Sequence, residues 1–187
     1  MNKQVSNRLT FLLEKLDVLT NRVGRAAAWA SILMVLLMFL IVVLRHGFGL
    51  GLIAVQESVT YLHAALFICV GACTLGNDGH VRVDVFYRGF SDRKKAWVNL
   101  IGVFCFLFPV IAVIAIYSID YVAVSWRILE GSRETGGIPA LFLMKSLLLV
   151  FVLLFFVQGL AELLRNALVL LGEGYLPYGK SQNRGES

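Results

Sequence analysis

A chain of 187 residues with 58% hydrophobic and 16% charged side chains, and a mean hydropathy of +0.78, is not an ordinary soluble domain. Its net charge of +5 on so apolar a background points to membrane topology and anionic headgroups, and nothing in it calls for nucleic acid. Four spans and their connections use up most of that length, so residues 1–187 are expected to form a single membrane domain.

Residues 5–25 come first. Val5, Leu9, Leu12, Leu16, Leu19 and Val23 recur at steps of four and three, which lines one face of a helix. Lys3, Asn7, Glu14, Lys15, Asn21 and Arg22 take the rest of the surface, so the segment is expected to be an amphipathic helix lying in the interface. A short coiled coil is the alternative, but the pattern ends within about three heptads.

The first span, 26–44, has no charged residue and runs directly into Arg45 and a second span. It does not meet a small-residue cleavage site, so it is expected to be retained. The second, 54–75, carries His63 and the small-residue face Ala65, Cys69, Ala72, Cys73 and Gly76, which lets another helix approach closely. The third, 96–122, has Pro109 midway, where a lost backbone donor predicts a kink. The fourth, 139–164, includes Lys145 and Glu162, and residues 165–187 follow as a tail. Each run is roughly the 20 residues that cross a hydrocarbon core about 30 Å thick. The expected fold is an all-α integral membrane protein of four transmembrane helices.

Lys and Arg count thirteen in the N-terminal segment, the central loop and the tail, against Arg45, Arg127 and Arg133 in the other two loops. That bias puts both termini in the cytoplasm. On this orientation Glu57, Asp120 and Lys145 all stand near the outer side, and a Glu57–Lys145 clamp joined by Asp120 is expected.

Catalytic and cofactor chemistry finds little support. The sequence has no P-loop, Ser-His-Asp pattern, paired catalytic carboxylates or dinucleotide fingerprint. Cys69, Cys73 and Cys105 all fall inside spans, where a thiol acts as a small apolar group, and the Cys69/Cys73 pair has no third metal ligand nearby. His63 lacks a second imidazole at like depth for a haem, since His46 and His80 are in loops. No catalytic residue, cofactor or metal is therefore assigned. A membrane-embedded redox or enzyme subunit and a stand-alone small homo-oligomeric transporter are the other readings, and neither has a motif behind it.

Residues 43–87, VLRHGFGLGLIAVQESVTYLHAALFICVGACTLGNDGHVRVDVFY, combine an Arg- and Gly-rich turn, an acidic Glu57 opening the second span, and the run Gly79–Asp84. Residues 125–150, SWRILEGSRETGGIPALFLMKSLLLV, add Trp126, Glu130, Pro139 and Lys145. In that order, over about residues 26–168, the chain resembles the small, DctQ-like membrane subunit of tripartite ATP-independent periplasmic (TRAP) transporters. The resemblance implies a non-catalytic subunit in a bacterial inner membrane. It would brace a large membrane subunit that performs sodium-coupled uptake of an organic anion delivered by a periplasmic substrate-binding protein. Membrane lipids are its other expected partner. Trp126, Arg127, Glu130, Arg133 and Glu134, interleaved with glycines, are the candidate docking surface for the binding protein.

The charge count has a direct test: a reporter fused after Ser187, or inserted near Asp92, should be cytoplasmic. External labelling of the C-terminus would overturn the orientation.

Overall fold

The computed structural model describes residues 3–77, 87 and 89–172, and the side chains of 3–9, 12 and 14 lie outside that description. Helix α1 (Lys3–Phe48) is followed by α2 (Ile53–Gly76). Helix α3 (Asp92–Gly102) continues through a π-helical turn (Val103–Leu107) into α4 (Phe108–Arg127), and α5 (Leu141–Leu170) is last. Four helical stretches, Lys15–Phe48, Ile53–Gly76, Asp92–Arg127 and Leu141–Leu170, are long and apolar enough to cross a membrane. No strand occurs among the described residues.

Helix α1 departs from expectation in being continuous. No proline interrupts residues 3–48, so the segment expected to lie apart as an interfacial helix runs straight into the first span. At 46 residues the helix is about 69 Å long, more than twice the hydrocarbon thickness. Its buried face is also rotated from the leucine stripe. Leu13, Asp17, Thr20 and Gly24 are buried, whereas Leu19 is 55% exposed. Leu16 packs beside Leu164 on the small apolar core of Leu13, Ala161 and Leu168, and Val5, Leu9 and Leu12 fall outside the described side chains.

Helix α5 is the hub, packing against α1, α2, α3 and α4, while α1 lies along α2. The small-residue face of α2 makes the second contact possible. A Cβ on Gly24 would fall 2.7 Å from Cys73 Cβ, so the two backbones approach as only a glycine allows. Ala72 and Gly76 are buried on the same side, and Ala65, Cys69 and Cys73 are half-buried.

The kink expected at Pro109 takes the form of a π-turn. Proline has no N–H to return to the preceding turn, and the helix widens just before it, with Phe108 N–H donating to Val103 O. The fourth helix begins at Leu141, two residues later than expected, and does not end at 164. It continues to Leu170, and Arg165, Asn166 and Leu168 are buried, so the tail expected from 165 is helix at its start.

Candidate functional site

Polar side chains gather at the two ends of the bundle. At the end where α5 finishes, Gln158, Glu162, Arg165 and Asn166 project from α5 at i, i+4, i+7 and i+8, all buried. The Arg165 guanidinium donates to Asp17 Oδ1 at 2.8 Å, to Glu162 Oε1, and to the Gly76 carbonyl at 3.3 Å. Asn166 donates to the Glu162 carbonyl at 2.8 Å and accepts from Asn99, which in turn accepts from the Tyr87 hydroxyl at 3.1 Å. One guanidinium thus binds α1, α2 and α5, and the amide relay adds α3. A buried carboxylate or guanidinium is tolerated only in such company.

The opposite end holds a second cluster, built by the 128–140 connector. Glu57, in the second turn of α2, accepts from the Ser132 hydroxyl and, at 2.6 Å, from the Ile138 N–H. Gly137 gives the connector room to close, because a Cβ there would fall 2.5 Å from Ser132 Oγ and 2.9 Å from Glu57 Oε1. Lys145 donates to Glu130 Oε2 at 2.5 Å, and its ammonium sits 4.1 Å from the Tyr121 ring centroid. Ser125 donates to the same Glu130 oxygen at 2.7 Å.

The Glu57–Lys145 clamp is therefore replaced by two separate contacts. Lys145 goes to Glu130 because the connector folds back over the first turn of α5, where Phe142 N–H also donates to Glu130 O at 3.3 Å. Glu57 is taken up by the far side of that connector. Asp120 stays exposed and joins neither.

Helix α4 ends in a paired turn in which Glu130 N–H donates to Ser125 O and Leu129 N–H to Trp126 O. Leu129 occupies the left-handed position of that turn, at φ +45°, where glycine is usual. The Glu130 contacts hold it there.

Of the expected docking residues, Arg127, Arg133 and Glu134 are exposed. Trp126 is also exposed, although its indole N–H donates to Ser146 Oγ at 2.8 Å and its ring meets Phe142 edge-on. Glu130 belongs to the cluster instead.

Sequence reading missed the terminal-end cluster. Its signal was present as the polar stripe 158, 162, 165 and 166 on one face of an otherwise apolar helix.

Two measurements probe these clusters. Arg165→Met removes the guanidinium that two buried carboxylates share and should cost about 3–5 kcal/mol. In thermal unfolding of the detergent-solubilised chain, Arg165→Met and Asp17→Asn should combine non-additively. Simple addition would mean that the two side chains do not interact.

At the other end, the Lys145 hydrogen bond, followed by that of Ser125, holds the Glu130 carboxyl below its usual 4.5. A folded-state value below the unfolded one means that the contact contributes fully above about pH 4.5 and is lost as pH falls through the lower folded value. Hydrogen exchange of residues 128–140, corrected for the intrinsic rate, should be flat from neutral pH to about 4.5 and rise below it. Glu130→Gln should weaken that acid dependence, leaving the part that runs through the Glu57 carboxylate on Ser132 and Ile138.

The family model described as "Tripartite ATP-independent periplasmic transporters, DctQ component" matches residues 34–168, a stretch containing the whole connector cluster and all of the other except Asp17. No curated protein and no solved structure matches the chain.

Proposed function

The chain belongs to the DctQ component family of tripartite ATP-independent periplasmic transporters, and on that premise we propose that it is the small permease subunit of such a transporter. In this reading it sits in a bacterial inner membrane with both termini in the cytoplasm. It braces the large transport subunit during sodium-coupled uptake of an organic anion and helps dock the periplasmic substrate-binding protein.

The family match over residues 34–168 carries the reading. Charge bias supports the orientation, since the connector end is the end poor in Lys and Arg. The exposed Arg127, Arg133 and Glu134 beside Trp126 offer mixed charge to a soluble partner, the arrangement that steers encounter more than it adds affinity. At the cytoplasmic end, Lys15, Arg22 and Arg25 stand exposed near Phe11 and Leu19, which suits anionic headgroups against the first half of α1.

The expected outcome is that tagged chain retains the large subunit through purification and that cells lacking the chain lose uptake. Arg127→Ala with Arg133→Ala and Glu134→Ala should slow uptake at low binding-protein concentration while leaving the membrane complex intact. Failure of the unmodified chain to retain any large subunit would overturn the reading.

A further inference from the structure

Among the described residues, the side chains of α2 that the rest of the chain leaves exposed are Gln56, Thr60, His63 and Phe67. Their spacing of i, i+4, i+7 and i+11 makes one stripe along the helix. Three of the four are polar. The exposed residues of α5 between 141 and 160 are Leu143, Leu148, Val150, Leu153, Phe156 and Leu160, and those of α1 between 32 and 43 are apolar throughout. The exposed surfaces of α1 and α5 over these lengths are thus greasy, α4 exposes Tyr117, Asp120 and Tyr121 near its connector end, and α2 carries a polar stripe of its own.

Depth makes that stripe costly. Glu57 marks the connector-end boundary of α2, and at a rise of about 1.5 Å per residue Thr60 and His63 lie about 5 and 9 Å further in. Hydrocarbon supplies neither donor nor acceptor, so polar side chains within it turn toward protein or a water-filled cavity. Ser58 and Thr74 on the same helix satisfy their hydroxyls on backbone carbonyls one turn back, at 2.8 Å each. Neither Thr60 nor His63 has a hydrogen-bond partner of this kind among the described residues. Beside Gln56 the stripe opens into a cleft of about 250 Å³ between the end of α1 and the start of α2, lined by Leu44, Arg45, Leu52 and Gln56 among others. Arg45 gives that cleft a cationic wall.

We propose that the Gln56–Thr60–His63 stripe and its cleft seat a transmembrane helix of the large subunit. That helix would carry hydrogen-bonding side chains at the depth of Thr60 and His63 and an acceptor or carboxylate facing Arg45. The proposal rests on reading the chain as the small subunit of a tripartite transporter, whose family supplies a second membrane component. Lipid alone leaves the polar groups unsatisfied. A second copy across a two-fold axis would offer the same surface, whose cleft holds Arg45 and no carboxylate to meet it.

The test uses the full chain co-expressed with its large subunit. A photo-reactive side chain at position 60, 63 or 67 should give an adduct with the mass of chain plus large subunit. Adducts with lipid only, or with a second copy of the chain, would overturn the proposal. Gln56→Leu, Thr60→Val and His63→Leu combined should lower capture of the large subunit roughly three- to twentyfold, the range set by membrane interhelical hydrogen bonds. The level and melting temperature of the isolated chain should not fall. Undiminished capture by the triple variant would likewise overturn the proposal. If the unmodified chain captures no large subunit, the subunit reading itself fails, and the two failures are told apart.

Discussion

Three helices of this bundle are held in register by one guanidinium. Apolar surfaces in a bilayer slide past one another at little cost, because lipid tails are as good a neighbour as leucine. Arg165 removes that freedom by reaching Asp17 on α1, the Gly76 carbonyl on α2, and Glu162 on its own helix. A slip of α5 by one turn would move the guanidinium about 5.4 Å, past the reach of any of its interhelical hydrogen bonds. Breaking the contacts leaves buried charges without partners, at a cost of about 3–5 kcal/mol.

The register set at one end governs the other. From Arg165 to Lys145 is 20 residues of α5, and from Gly76 to Glu57 is 19 residues of α2, each about 30 Å of helix. The two polar clusters therefore stand one hydrocarbon thickness apart, where charge meets headgroups and water on both sides. Between them the spans rely on close approach of small residues such as Gly24 against Cys73, and few side chains are fully buried.

What was legible in the sequence followed from the solvent. Bilayer thickness sets the length of each span, so four helices could be read from uninterrupted apolar runs. Glu57 and Lys145 were also visible as costly groups near the ends of their spans. Their partners were not, because pairing depends on how the 128–140 connector folds back, and spacing along the chain says nothing of that. Asp17 was hidden differently. The leucine stripe of residues 5–23 draws attention to one face, while the buried face of Leu13, Asp17, Thr20 and Gly24 is rotated from it toward an α5 partner 148 residues away. Arg165 was assigned to the tail because charge next to an apolar run usually marks the membrane edge, and here the helix carries it further.

The distribution of polar groups also bears on the proposed role. A transport path needs polar side chains facing a common space across the membrane, repeated with depth. In the described part of this chain the buried charges are confined to the two ends, where they act on the chain itself, and the middle of α5 presents Leu148, Val150, Leu153 and Phe156 outward. Such a bundle is rigid in register and greasy between its ends. Those properties suit the proposed fixed brace against which another subunit moves, and on the docking proposal the outward-facing Thr60 and His63 find their partners there.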